Sequence, residues 1–283
     1  MRILFVVIFL FLSPIVSGQG NKPVAAPACS VPESTVEANN KGFAFHFKRR
    51  LEEASEAYDE VLRLAPPRAP DAGERAIIRK HAPRLFLVEG EPFPLKDIAA
   101  VLHPERPWIA YHLFWDDDID FPDDNDPCDH EVVWVQLDTS KSKVVGYFSY
   151  FHGRIVTAPK DAIADANSNG GRPAFWVQWG KHGSMPVGWQ ELESANRADF
   201  QRLNSEGRYR QTSPLGKGWP LRFSGSWEDF TRFNQPLNTV PLLETKGLEI
   251  VSYFSNAVIN RYFLRYNFAA KTEWPESICR QGE

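Results

Sequence analysis

Between residues 48 and 65 the apolar positions Leu51, Ala54, Tyr58, Val61, Leu62 and Ala65 recur three and four apart, with charges between them. That period predicts an amphipathic helix, ended by Pro66-Pro67. After a proline-rich link over residues 66–71 the period shortens. Aromatic and β-branched runs at residues 84–88, 108–115, 131–137, 143–151 and 174–179 predict strands, separated by turn signals such as His152-Gly153 and Asn169-Gly170-Gly171. Residues 158–172 read as a polar, mobile connection, 194–203 as a short helix, and 211–242 as long surface loops. A strand is expected at 248–254, while 257–268 fit either strand or helix. Short strands between irregular loops argue for a mainly β fold, a β-sandwich with an added N-terminal amphipathic helix and long C-terminal loops.

The chain opens on Met1-Arg2 and an apolar stretch from Ile3 to Leu12, followed by the small residues Val16-Ser17-Gly18. This order predicts a secretory signal peptide; the apolar stretch is short for a membrane span. The expected organisation is a signal peptide over residues 1–18, a flexible leader over 19–42, a helix and linker over 43–70, and one β-sandwich domain over 71–279. No later stretch reaches the ~20 apolar residues of a transmembrane helix, so the mature chain is expected to be secreted or extracytoplasmic. The three cysteines, Cys29, Cys128 and Cys279, suit an oxidising compartment, with Cys29–Cys279 and Cys29–Cys128 as competing pairings. No Cys/His spacing suggests zinc. A net charge of -4 leaves no basic footprint, which argues against nucleic acid as a partner.

Candidate chemistry gathers where two strands end. Asp116, Asp117, Asp118, Asp120, Asp123, Asp124, Asp126, Asp129 and Glu131 crowd one segment. So many carboxylates repel one another unless they are solvated or share a cation. Residues two apart on a strand face the same side, so Asp129 and Glu131 point together. Carboxylate oxygens converging from two strand ends suit a hard cation, Ca²⁺ or Mg²⁺. A histidine among the ligands would admit Mn²⁺ or Zn²⁺. A solvated acidic loop is the plainer alternative.

A second motif, Trp179-Gly180-Lys181-His182-Gly183-Ser184, follows a strand and puts a histidine on a glycine turn, exposed enough to bind a ligand or shuttle a proton. Ser184 invites a Ser/His pairing, but no nucleophile-elbow pattern accompanies it. His112 reads as a structural strand residue, and His152 as a turn residue or neighbour of the site. His46, His81 and His103 lack companions that suggest chemistry.

Tyr111-His112-Leu113-Phe114-Trp115-Asp116-Asp117-Asp118, followed by Asp126-Pro127-Cys128-Asp129-His130-Glu131, resembles the core of the NPP1-type necrosis- and ethylene-inducing-like proteins. It is similar also to the vacuolar-protein-sorting-62-like group. In the former family an aromatic strand ends in Asp, and the heptapeptide Gly-His-Arg-His-Asp-Trp-Glu leads into a Val-rich strand. Asp118 matches the strand-end Asp, Asp129 and Glu131 the Asp and Glu of the heptapeptide. His130 stands at its Trp, and Asp126 at its first His. Residues 179–184 resemble a further family element that carries His182, and His81-Ala82-Pro83 with Glu91-Pro92 and Pro94 looks like the start of the vacuolar-sorting-like domain. The resemblance spans residues 81–190. It implies a jelly-roll-like β-sandwich with a divalent cation at its rim, held by Asp118, Asp126, Asp129 and Glu131, in contact with a glycolipid headgroup.

The reading that follows is a secreted, divalent-cation-dependent binding or toxin-like protein recognising a glycan or lipid headgroup at a cell surface, with His182 and Trp115 in contact with the ligand. The rival is a metal-dependent hydrolase of an ester or phosphoester, with His182 or His130 as general acid or base. A structural domain whose cation only stabilises loops is the third option.

Overall fold

The periods of the sequence resolve into two sheets and a set of helices in the computed structural model, which describes residues 30–119, 128–204, 223–263, 268 and 270–275. In chain order the strands are β1 (Arg84–Leu87), β2 (Leu95–Leu102), β3 (Trp108–Trp115), β4 (His130–Leu137), β5 (Val144–Phe151), β6 (Arg154–Thr157), β7 (Ala174–Val177), β8 (Ser184–Pro186), β9 (Gln235–Asn238) and β10 (Leu248–Val251). The helices are α1 (Glu33–Phe47), α2 (Leu51–Leu64), α3 (Ala72–Lys80), α4 (Lys160–Ser168), α5 (Leu192–Asn204), α6 (Trp227–Phe230), α7 (Val240–Thr245) and α8 (Ser255–Phe263).

The larger sheet has the order β10-β2-β3-β4-β5-β6, an antiparallel meander from β2 to β6 with β10 added in parallel beside β2. The smaller sheet has the order β8-β7-β1-β9, with β1 and β7 parallel. Every residue of β3 is buried, because this central strand is covered on both faces. Strand alternation divides its side chains. Ile109, Tyr111, Leu113 and Trp115 join Leu85, Phe175 and Val177 of the smaller sheet in one core. Trp108, Ala110 and Phe114 pack instead with Val258, Ile259 and Phe263 of α8. The larger sheet is thus the middle layer, with the smaller sheet on one side and helices on the other.

Each strand expected from the sequence has a counterpart, and the helix expected at 48–65 is α2, held by Ala54, Tyr58 and Val61 against Phe254 and Ala257. The ambiguous stretch 257–268 begins in α8. The sheet-rich core is present; among the described residues helix outweighs strand, about 37% to 26%, and both sheets are mixed, so the fold is sheet-rich without being plainly a mainly β jelly-roll-like sandwich. The difference arises where periodicity fails. From Glu33 onward the leader is helical: α1 buries Thr35, Asn39, Gly42 and His46, a stripe with helical spacing and no apolar signature. The connection at 158–172 contains α4, anchored through Ala162 and Ala166. Residues 223–242, read as loop, hold α6, β9 and the start of α7. Neither β2 nor α3 was expected; Lys96 and Asp97 interrupt the pattern of the former, and α3 is nine residues long behind an Asp71–Glu74 capping box. The signal peptide, Cys29, Asp126 and Cys279 lie outside the described residues, while Cys128 is buried beside Phe114 and Trp134.

Gly42 of α1 lies directly against Tyr58 of α2. A Cβ built on it would lie 2.6 Å from two carbons of the buried Tyr58 ring. Gly42→Ala therefore overpacks this junction and lowers stability by about 1–3 kcal/mol in chemical denaturation. An unchanged unfolding midpoint would contradict the packing described.

Candidate functional site

Four chain segments meet at one rim of the β3/β4 pair. Strand β3 ends with Trp115, whose N–H donates to the Asp129 carbonyl at 2.8 Å, so the end of β3 and the entry of β4 are fixed together. The turn from β7 to β8 is closed by the Gln178 N–H donating to the Gly183 carbonyl at 3.1 Å and the His182 N–H donating to the Gln178 carbonyl at 2.9 Å. Gly180, at φ 66°, lets this turn pass close to Ile119, whose N–H donates to the Gly180 carbonyl at 2.9 Å. The fourth segment carries Glu91, whose carboxylate accepts from the Gly180 N–H at 2.8 Å and the Phe93 N–H at 3.1 Å.

His182 stands at the centre and is fully buried. Its Nδ1 lies 2.8 Å from Asp129 Oδ2 and its Nε2 lies 3.0 Å from Glu91 Oε1. A ring that meets a carboxylate at each nitrogen donates from both, which requires the imidazolium form. Burial alone would push this imidazole down, but the Glu91 charge and the hydrogen bonds to Asp129 and Glu91 prevail and hold it up, at about 10. The Trp115 ring stacks on it at 4.1 Å and an interplanar angle of 6°, and Phe93 closes its edge at 6.1 Å. This charge sits under an aromatic roof, where the cation–π attraction adds to the ion pairs. The backbone of His182 is at φ 53°, a left-handed conformation uncommon for a residue with a side chain.

Alternation places Glu131 on the same side of β4 as Asp129. Burial pushes the Glu131 carboxyl up to about 8, with Lys271 opposing and Asp129 adding to the shift. Lys271 Nζ is 3.4 Å from Glu131 Oε1, and Glu131 Oε2 is buried with no hydrogen-bond partner among the described residues. Asp118 lies next to Lys181, Oδ2 to Nζ 3.8 Å.

The expected site residues thus divide. Asp129 and His182 are in contact, Glu131 lies beside them, Asp118 is bound into the same rim, and Asp126 lies outside the described residues. His182 and Trp115 are both fully buried rather than exposed to a ligand. The glycine turn that suggested exposure is covered by Trp115 and Phe93. His130 turns to the opposite face of β4, where its Nε2 is 3.0 Å from His112 Nδ1 and its ring stacks on Phe114. Desolvation holds the His112 imidazole down near 3, so this histidine contact belongs to the core and not to the rim. Ser184 is buried and its hydroxyl donates to the His182 carbonyl at 3.3 Å, which leaves no Ser/His nucleophile. His152, at φ 44° in its turn, reaches Gln178 Oε1 at 2.9 Å and so neighbours the site without entering it. Glu91 and Lys271 had not been singled out from the sequence as site residues. A charge between Gly90 and Pro92 gives a weak sign of the first; nothing local signals the second, 140 residues from Glu131.

No family model matches the chain, and no curated protein matches it. Among solved structures it is similar to the crystal structure of Necrosis and Ethylene inducing Protein 2 from the causal agent of cocoa's Witches Broom disease. The identity is 14%, over 48% of this chain and 82% of that one, with a TM-score of 0.29. At that level the likeness carries no argument, and the site is read from its own residues.

The ionisations at this rim set a direction for pH. The raised His182 contributes stability that is complete below its unfolded value near 6.5 and lost as pH rises through about 10. Glu131, also raised, loses stability as pH rises from 4.5 through about 8 and its buried carboxyl must ionise. Wild type therefore melts at progressively lower temperature on the alkaline side of neutrality. His182→Gln leaves two carboxylates buried without their cation, costs about 3–5 kcal/mol near pH 6, and flattens the alkaline slope. Equal slopes in wild type and variant would contradict the ion-paired imidazolium.

Proposed function

We propose that this chain is a secreted or extracytoplasmic binding or toxin-like protein that recognises a glycan or lipid headgroup at a cell surface through a divalent cation, Ca²⁺ or Mg²⁺, at the rim of β3 and β4. The observation that carries this reading is Glu131, a buried carboxylate beside Asp129 with one oxygen lacking a partner among the described residues. Such an oxygen is costly unless a ligand meets it. The donors are all carboxylates, the chemistry a hard cation prefers. Among the described residues no three His, Cys, Asp or Glu groups form a ready-made cage, so the fit rests on Asp129 and Glu131, with Asp118 of the same rim, and Asp126 outside the described residues, as the remaining donors proposed. A bound cation would supply open coordination positions for ligand hydroxyl or phosphate oxygens.

In this reading Asp129 and Glu131 bind the ion, while His182 orients Asp129 through Nδ1 and is itself oriented by Glu91. The jelly-roll-like sandwich implied by the strand-end motif is the frame proposed for that rim. The hydrolase alternative lacks support in the geometry, since His182 has both nitrogens committed and His130 faces the core. No helix among the described residues is long and apolar enough to cross a membrane.

The test is capture of the chain by vesicles carrying phosphorylated or glycosylated headgroups and by arrayed glycans, in Ca²⁺, in Mg²⁺ and in EDTA. Capture is expected only with a cation, and is expected to be lost in Glu131→Gln. Near-UV circular dichroism checks that this variant, whose amide keeps the shape of the side chain, remains folded. Capture that persists in EDTA and in Glu131→Gln would refute the reading. A cation-linked rise in melting temperature with no capture of any headgroup would favour the purely structural role.

A further inference from the structure

Helices α1 and α2 meet in a tight tip. Residues 41–50 read Lys-Gly-Phe-Ala-Phe-His-Phe-Lys-Arg-Arg, with cations at both ends and no acid between them, in a chain whose net charge is -4. The Arg49 N–H donates to the His46 carbonyl and the Arg50 N–H to the Phe45 carbonyl, both at 2.9 Å, with Arg49 at φ 59°. This turn leaves every residue from Phe47 to Arg50 exposed. Phe47 is 70% exposed, more than any other large hydrophobic side chain among the described residues, and the Phe43 ring stacks beside it at 6.3 Å. Arg50 pairs with the exposed Glu53 of α2 and lies 4.6 Å from the centre of the Phe45 ring. Ring contacts fix where the tip stands. His46 packs on Phe268 at 5.1 Å, Phe268 on Phe114 at 5.4 Å, and Phe114 on Phe263 at 4.4 Å. The tip and the C-terminal part of α8 therefore share the end of the larger sheet where β3 finishes. There Arg261 and Tyr262 are also exposed, Tyr262 by 48%.

We propose that this tip is a docking surface for an anionic lipid bilayer, with Phe47 entering the boundary between headgroups and acyl chains and Lys48, Arg49 and Arg50 lying against the negative surface. The inference needs no ion at the rim and goes beyond the reading of that site. A phenylalanine left in water gains free energy wherever it finds an apolar boundary. The cations around it select a negative partner, since a leaflet of anionic lipid attracts clustered Lys and Arg within a Debye length of its surface. The exposed pair of Arg50 with Glu53 is worth little and gives way easily. A turn whose residues all project suits a bilayer better than an acidic protein: a protein partner must supply a matching pocket for the ring, whereas fluid lipid moulds itself around it. One ring and a few cations hold weakly. At physiological salt and low lipid the tip alone retains little of the chain, so cation-dependent capture of a headgroup still reports on the rim.

The experiment is flotation of the full mature chain with vesicles of phosphatidylcholine, alone or mixed with phosphatidylglycerol, in EDTA. Lipid is raised to about 5 mM at about 20 mM NaCl, where screening is weak. Wild type is expected to float with the mixed vesicles and not with phosphatidylcholine alone, and to be released at about 0.5 M NaCl. Phe47→Ser and Lys48→Glu are each expected to lower the partition coefficient at least about fivefold. Both positions are exposed, and unchanged melting temperatures show that the fold is kept. Val145→Ser removes an exposed apolar side chain of β5 and is expected to follow wild type. No flotation of wild type at low salt, or equal flotation of wild type, Phe47→Ser and Lys48→Glu, would overturn the proposal and leave the reading of the rim standing. Retention of the chain by polyglutamate without flotation would overturn the bilayer in favour of an acidic protein. Flotation that depends on Phe47 and Lys48, without any cation-dependent capture of a headgroup, would sustain the tip and overturn the rim alone.

Discussion

A positive charge buried between two carboxylates holds this rim together. His182 is taken wholly out of water, and the arrangement is tenable only because Asp129 and Glu91 each accept a hydrogen bond from its ring. The three groups come from the β4 entry, the segment before β2 and the β7–β8 turn, so one charge ties both sheets at the end where carboxylates collect. Trp115 and Phe93 exclude water and sharpen the dependence, since in their shelter no solvent replaces a lost partner. Removing any member strands a charge on the others.

This constraint also separates positioning from binding. A histidine with both nitrogens donating has no lone pair for a metal and no proton to exchange near neutrality. Its work is to set the orientation of Asp129, as a hydrogen-bonded partner orients a ligating side chain elsewhere. Glu131 is different, because burial opposes its charge and a single ammonium answers it on one side. The rim therefore combines a ring held at both nitrogens, His182 with Asp129 and Glu91, and a carboxyl group met at one oxygen, Glu131 with Lys271.

Period-two alternation was enough to pair Asp129 with Glu131, and it carries the same consequence for His130, which must face the other way and does. Strands β3, β4 and β5 were legible because their aromatic and β-branched residues stand between clear turns. Helix α1 was not, because the face it buries is Thr35, Asn39, Gly42 and His46, which no hydrophobic pattern reveals. The burial of His182 was equally hidden. A glycine turn predicts access, and only the tertiary approach of Trp115 and Phe93 closes it. Glu91 and Lys271 reach the rim from 91 residues before His182 and 140 residues after Glu131, distances over which local pattern is silent. Local pattern could bring Asp129 and Glu131 to one side of a strand, but it could not reveal the charges that Glu91 and Lys271 set against them.

That balance turns on the protonation of one ring. The direct measurement is the ¹⁵N resonance pair of His182 in uniformly labelled protein, assigned by its absence in His182→Gln and followed from about pH 6 to pH 9. The account predicts both ring nitrogens protonated across this range, with imidazolium shifts that begin to move only as pH approaches the value near 10. A ring that titrates near its ordinary 6.5, or shows one bare nitrogen at neutral pH, would contradict the buried cation.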